Sequence, residues 1–180
     1  MLAKYGFLER DNPFSQMKIS LDFDHGQYQE YAGDQFLLKQ RILASSGETW
    51  NLESAVIYKS KINNDIITLL RVYFLTSADL RTSIKINSYV WKDFQSELSP
   101  ANELLVFSFL KDSLQRQLDN YEVLKAQRLQ IQVDSECYEA IGRLPDRNMS
   151  NMLSIVLEEK EILRNNLAFV EKKLTALHSQ

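Results

Sequence analysis

The side chains that most often carry out chemistry are few and widely spaced in this chain of 180 residues. The two histidines, His25 and His178, have no partner at a metal-ligating spacing, so the pattern does not indicate a zinc site. The single cysteine, Cys137, has no histidine near it in the sequence, and a small buried thiol is the simpler interpretation. The sequence therefore predicts neither a metal site nor a nucleophilic cysteine.

Three carboxylates near the N-terminus, Asp22, Asp24 and Asp34, are the remaining candidates for metal binding or acid–base chemistry. Their spacing does not hold them to one pocket, so a solvated strand end followed by a turn explains them better. The five glycines are scattered, and no glycine-rich phosphate loop can be assembled from them. We predict no catalytic residue and no metal ligand in this chain.

Composition favours one helical domain that is rich enough in apolar residues to form a core. Hydrophobic residues make up 44% of the chain, and only 5 glycines and 3 prolines are available to interrupt long helices. The formal charge of -3 predicts no general attraction to nucleic acid, and no apolar run reaches the length of a membrane span. One cysteine fits a reducing compartment, which predicts the cytoplasm or the nucleus, with a plastid as the alternative.

The first half of the chain predicts one strand, two helices and an extended segment. Apolar and polar residues alternate from Met17 to Phe23, the pattern of a half-buried strand. A helix is expected over residues 27–44, with Gly33 as a weak point, and an extended segment over residues 49–60. Asn63 and its neighbours resemble a helix N-cap, and the helix that follows, over residues 65–76, is apolar on almost every side and therefore predicted to be buried.

The second half predicts longer helices. Ser99-Pro100 is a typical helix start, and an apolar stripe with steps of three and four residues runs from Phe107 to Tyr121. A short helix is expected near Cys137 and Ile141. Residues 149–177 carry an apolar heptad line that Lys160 interrupts in its companion line, and residues 158–161 are expected to face solvent. Packing within the same bundle is favoured over an intermolecular coiled coil.

The first fourteen residues differ from an ordinary chain start, because Leu2, Tyr5 and Phe7 are apolar where a free terminus is usually polar. The segment Leu2-Ala3-Lys4-Tyr5-Gly6-Phe7-Leu8-Glu9-Arg10-Asp11-Asn12-Pro13 resembles the hinge that ends the catalytic domain of SET-domain protein-lysine methyltransferases of the Rubisco large-subunit methyltransferase type. The remainder resembles the helical C-terminal substrate-binding domain of that family. We therefore expect another domain upstream in the natural protein.

This resemblance implies a division into a hinge, residues 1–14, at the end of an absent SET catalytic domain, and a helical substrate-binding domain, residues 15–180. The fold it implies is mainly α, a bundle of about five or six helices with a short extended N-terminal segment. Such a domain does no bond chemistry; it supports its own SET domain and holds a lysine-bearing protein substrate. A stand-alone helical adaptor that binds partner proteins through the 149–177 helix is the alternative.

The resemblance also implies one cofactor contact, at Phe7. In the family the phenylalanine after the hinge glycine stacks on the adenine of S-adenosylmethionine, and Phe7 occupies that position here. The alternative is that Phe7 fills the seam between the two domains. The parent would then be an S-adenosylmethionine-dependent protein-lysine N-methyltransferase, whose cofactor loop and lysine channel belong to the SET domain and are not found in this chain.

Residues for binding a partner are less clearly marked. Lys59, Lys61 and Arg71 form a small basic set, and three aromatic residues could present contact area at a surface: Tyr28, Tyr31 and Trp50. Core packing or ordinary surface is the favoured interpretation of each.

Overall fold

The structure, a computed structural model, describes residues 15–23, 26–31, 33, 35–47, 54–82, 89–128 and 147–179. Within these residues it contains two strands and five α-helices, so the predicted mainly α fold is confirmed. The elements are β1 (Gln16–Ser20), α1 (Phe36–Ala44), β2 (Ser54–Tyr58), α2 (Asn64–Tyr73), α3 (Ser77–Thr82), α4 (Pro100–Arg128) and α5 (Arg147–His178), with 3-10 helices at Gly26–Tyr31 and Trp91–Phe94.

The two strands pair in a small antiparallel sheet that covers part of the helical core. The register runs from Gln16 opposite Tyr58 to Ser20 opposite Ser54. Side chains alternate between the two faces of a strand, and the buried face carries Met17, Ile19 and Ile57. The predicted strand and the predicted extended segment are both confirmed, over shorter spans.

The prediction of one continuous helix over residues 27–44 is wrong. The structure divides it into the 3-10 helix Gly26–Tyr31 and the α-helix α1. Gln35 separates them with a left-handed backbone, at a φ of 53°. This conformation is unfavourable for a residue with a side chain, and the Gln35 side chain donates to Ser77 Oγ at 2.8 Å. The break therefore coincides with a contact to α3.

Helix α2 forms the centre of the core, as its all-round apolar pattern predicts. Asn63 caps it, because its Oδ1 accepts a hydrogen bond from the backbone N–H of Asp65 at 3.1 Å. Seven of its ten residues, from Ile66 to Val72, are buried.

Helix α4 begins as predicted at Ser99-Pro100. The Ser99 Oγ accepts from the backbone N–H of Asn102 at 3.1 Å and donates to the buried carboxylate of Asp79. The helix is longer than the stripe that predicted it, since it extends beyond Tyr121 to Arg128.

Helices α4 and α5 pack together along much of their length. Tyr121 bonds to Glu159 and the ring of Phe107 contacts the ring of Phe169, so the two helices run antiparallel. Leu163 and Val170 of the heptad line are fully buried. Packing within one bundle, the favoured interpretation of residues 149–177, is therefore what the structure shows.

Aromatic rings fill the space between α2, α4 and the sheet. Phe74 is fully buried, and its ring centroid lies 5.2 to 5.7 Å from those of four other rings. Those four belong to Tyr28, Tyr31, Tyr73 and Phe109. Edge-to-face pairs at such distances add stabilisation beyond burial alone.

The charged residues 158–161 do not all face solvent, contrary to the expectation. Lys160 is buried with 2% of its surface exposed, and Ser15 Oγ bonds to the Glu158 carboxylate. Glu159 accepts from the Tyr121 hydroxyl, and Glu161 pairs with Lys59 at 2.9 Å. This turn of α5 therefore fastens the helix to α4 and to the chain beside the sheet.

Candidate docking surface

Several of the residues singled out in the sequence lie outside the described residues, and their predictions remain untested. These are Phe7, with the whole hinge, and also Asp24, His25, Asp34, Trp50 and Cys137. His178 lies in the last turn of α5 and is exposed. Among the described residues, no group of three or more His, Cys, Asp or Glu side chains is placed to hold a metal ion.

Arg71 is a buried structural residue, so core packing, one of the two favoured interpretations, is confirmed for it, and the basic binding set loses one member. Its Nε and Nη2 donate to the two carboxylate oxygens of Glu103 at 2.5 and 3.0 Å. Its Nη1 donates to the backbone oxygens of Phe94 and Gln95 at 3.3 and 2.9 Å. Arg71 is 5% exposed and Glu103 1%. This bidentate pair ties α2 to α4 and to the loop between them.

The two lysines of the basic set do not form a patch with Arg71. Lys59 is paired with Glu161 of α5, and Lys61 is exposed near the end of β2. These three residues therefore do not form a basic docking patch.

The two tyrosines face inward. Tyr28 is 3% exposed, and its hydroxyl donates to Asp112 Oδ2 at 2.6 Å. Tyr31 is half-buried, and burial, together with the nearby carboxylate of Glu30, raises the pKa of its hydroxyl. Both rings pack on Phe74. The favoured interpretation, core packing, is confirmed for both tyrosines.

The first turn of α1 presents two large apolar side chains to solvent. Phe36 is 53% exposed and Leu37 is 78% exposed, the most exposed large hydrophobic side chain among the described residues. They are adjacent, and they follow directly on the left-handed Gln35. We name Phe36 and Leu37 the α1 apolar pair. Adjacent exposed apolar groups of this kind mark protein-binding sites more often than isolated ones do.

A pocket of about 400 Å³, lined by residues with polar side chains, lies between the end of β1 and the middle of α4. Its lining includes Ser20 and Asp22 from the strand side, and Ser113, Arg116 and Gln117 from α4. We name it the β1–α4 pocket. Arg116 Nη1 donates to Asp22 Oδ2 at 2.8 Å, and this bond spans the pocket. Sequence reasoning missed this site, because its residues come together only when the strand packs against the helix.

Tyr121 stands at the same pocket and fastens α4 to α5. Burial first, and then the hydrogen bond to the Glu159 carboxylate, raise the pKa of the Tyr121 hydroxyl well above its ordinary value. The neutral phenol is therefore the form that the folded state favours.

We expect this shift to make stability depend on pH in the alkaline range. The contribution of Tyr121 is fully present below the ordinary tyrosine pKa of about 10, and it is lost as pH rises towards the folded-state pKa. Urea unfolding between pH 8 and 11 should give a smaller fall in the free energy of unfolding for Tyr121→Phe than for the wild type. Equal slopes would show that Tyr121 ionises alike in both states.

Leu163 and Val170 on the apolar face of α5 are covered within the chain, since they belong to the core cluster that includes residues of α4. The adaptor alternative needs an exposed apolar line on this helix for a partner to bind. At these two positions the described residues show a buried line instead. None of the helices in the part of the chain that the structure describes has the length and hydropathy needed to span a membrane.

Comparison with known families matches the profile described as Rubisco LSMT substrate-binding to residues 32–163. The match spans α1 to α4 and the first half of α5, including the α1 apolar pair, the Arg71–Glu103 ion pair and the helical side of the β1–α4 pocket. No curated protein matches the sequence significantly. The family profile covers more than half of the chain, and the helical architecture agrees with it. The chain belongs to the Rubisco LSMT substrate-binding domain family.

Proposed function

We propose that this chain is the substrate-docking domain of a SET-type protein-lysine N-methyltransferase. The observation that supports the proposal most is the family match over residues 32–163. A domain of this kind contributes by proximity and orientation: it holds the protein substrate so that one lysine reaches the active site of the catalytic domain. No described residue has to take part in bond making for this function.

The α1 apolar pair is the part of the surface that we propose contacts the docked protein. Leu37 and Phe36 are exposed, although burying a fully exposed side chain of this size contributes about 1.5–3 kcal/mol, of which each would gain the part that corresponds to its exposed fraction. Helix α1 packs mainly against α2, and the exposed side of its first turn is available to a partner. A few well-packed side chains near the centre of an interface carry most of its binding energy.

The proposal is tested by comparing two substrates of the parent enzyme. In the parent that carries Leu37→Asp, kcat/KM on the folded protein substrate should fall about tenfold or more, as expected for a buried interface anchor. On a short peptide around the target lysine, kcat/KM should stay within a factor of about two, because the peptide does not reach α1. Asn165→Asp, which adds the same charge at an exposed position of α5, away from α1, is the control.

Equal losses on protein and peptide would contradict docking at α1. A deletion of residues 100–180 is a weaker experiment, because it removes α4 and α5. These helices supply fully buried core residues such as Phe109 and Val170, so general unfolding would lower activity on both substrates.

The methyl donor of the parent would be S-adenosylmethionine, and Phe7 is the residue of this chain that we propose contacts its adenine. An aromatic face beside a nucleobase gives affinity through stacking without any hydrogen bond. Phe7→Ala in the parent should weaken the binding of S-adenosylmethionine in a calorimetric titration. Unchanged affinity would reject the stacking role and favour Phe7 as a filler of the domain seam.

A further inference from the structure

The β1–α4 pocket contains polar groups that the fold leaves unpaired. Ser113 is 3% exposed, and its Oγ has no hydrogen-bond partner. Arg116 Nη2 is also buried without a partner, while Nη1 is bonded to Asp22. Both residues line the pocket. Buried donors without partners are rare in folded proteins and are costly to keep, so these two groups point to a ligand that supplies an acceptor.

The charges around the pocket favour a neutral ligand. The Asp22 carboxylate already balances the Arg116 guanidinium, and Glu159 adds a second carboxylate where it accepts from Tyr121. A carboxylate or phosphate ligand would meet the Asp22 carboxylate in the pocket lining and the Glu159 carboxylate behind Tyr121, against one guanidinium that is already paired. An uncharged carbonyl oxygen can accept from Arg116 Nη2 and from the Ser113 hydroxyl without that repulsion.

The neighbouring edge of β1 shows which neutral group fits. The Gln117 side-chain oxygen accepts from the Ser20 backbone N–H at 3.2 Å, and its nitrogen donates to the Lys18 oxygen at 3.1 Å. These two backbone groups lie on the edge of β1 that does not pair with β2, and both bonds are exposed to solvent. A side-chain amide therefore occupies positions that the peptide groups of an added strand would take.

We propose that the β1–α4 pocket binds the backbone of a short extended segment of the docked protein, as a third strand on the edge of β1. A peptide carbonyl of the segment accepts from Arg116 Nη2 and Ser113 Oγ, and its peptide groups replace the Gln117 amide on Lys18 and Ser20. This inference rests on the proposed docking function and names a second point of contact, separate from the α1 apolar pair.

The first test is a titration of the isotope-labelled 180-residue chain, followed by nuclear magnetic resonance. The probes are N-acetylglycine N-methylamide for a peptide backbone, acetamide for a side-chain amide, and acetate for a carboxylate. We expect the diamide to shift the signals of the Ser20 N–H, the Gln117 amide and the Arg116 Nε–H at lower concentration than the other two probes. Stronger binding of acetate, equal binding of acetamide, or no shift with any probe would overturn the assignment.

Two variants separate binding from structure. Ser113→Ala should weaken the diamide roughly three- to tenfold, the size of one hydrogen bond, and it should keep the wild-type midpoint of urea unfolding because the hydroxyl has no partner to lose. Ser108→Ala, on the same helix and outside the pocket lining, should leave binding unchanged. Gln117→Ala should increase the affinity for the diamide, because no side chain then has to leave the edge of β1 before the diamide binds. Weaker binding would contradict the idea that the Gln117 amide occupies the positions of an added strand.

The role in docking has a separate readout in the parent enzyme. Ser113→Ala should raise KM for the folded protein substrate by a similar three- to tenfold factor. An unchanged KM would overturn the contribution of the pocket to docking, whereas the proposed function itself depends on the Leu37→Asp comparison.

Discussion

Replacing Arg71 with methionine should lower the free energy of unfolding by about 3–5 kcal/mol, the usual cost of removing one partner from a buried ion pair. Glu103 is 1% exposed and would keep its carboxylate in the interior without its guanidinium. The backbone oxygens of Phe94 and Gln95 would also lose their donor. Urea unfolding followed by circular dichroism measures the change.

The double variant Arg71→Met with Glu103→Leu provides the matched comparison. Because it removes the unpaired charge as well, it should be more stable than Arg71→Met alone, although it carries one more substitution. A double variant whose loss equals the sum of the two single losses would contradict direct coupling between these side chains.

Phe74→Ala should cost about 3–5 kcal/mol through lost burial and a cavity in the aromatic cluster. Phe74 is fully buried and contacts rings from the 3-10 helix Gly26–Tyr31, from α2 and from α4. A cavity at this point is enclosed by three elements, so little collapse around it is expected. Thermal and urea unfolding would both show the loss.

Phe36→Ala is the control, because it is the same substitution at a side chain that is 53% exposed. Its stability should stay within about 0.5 kcal/mol of the wild type, as for most surface substitutions. Similar losses for Phe36→Ala and Phe74→Ala would contradict the assignment of Phe74 to the core and of Phe36 to the surface.

The elements that could be predicted from the sequence are those whose signal is local. The alternation from Met17 to Phe23, the Asn63 cap, the Ser99-Pro100 start and the heptad line of α5 each depend on residues close together in the chain, and the structure confirms each of them. The break at Gln35 could not be predicted in this way. Its left-handed backbone accompanies a contact to Ser77, 42 residues away, and glutamine is not a residue type that favours that conformation.

The burial of charged residues also depends on partners that are distant in the sequence. Arg71 lies in a helix that is apolar on almost every side, a position that indicates burial, but its residue type suggested a surface. The partner that makes burial possible, Glu103, is 32 residues along the chain. Lys160 likewise occupies the companion line of the heptad pattern and is buried. In both cases the position in the pattern was a better guide to burial than the charge of the side chain.

The candidate site was the least predictable part for the same reason. The β1–α4 pocket joins Asp22 to Arg116 across 94 residues, and the exposure of Leu37 follows from how α1 is placed on α2. Neither leaves a motif in the sequence. The family resemblance, by contrast, came from the hinge-like segment and the helical pattern, and the family is confirmed over residues 32–163.

The most direct measurement is the concentration dependence of methyl transfer by the proposed parent enzyme to its folded protein substrate, with and without Leu37→Asp. If this domain acts by docking, KM should rise about tenfold or more while kcat at saturating substrate stays close to the wild-type value. A lowered kcat with an unchanged KM would contradict docking, because it would place the effect of this domain on the chemical step.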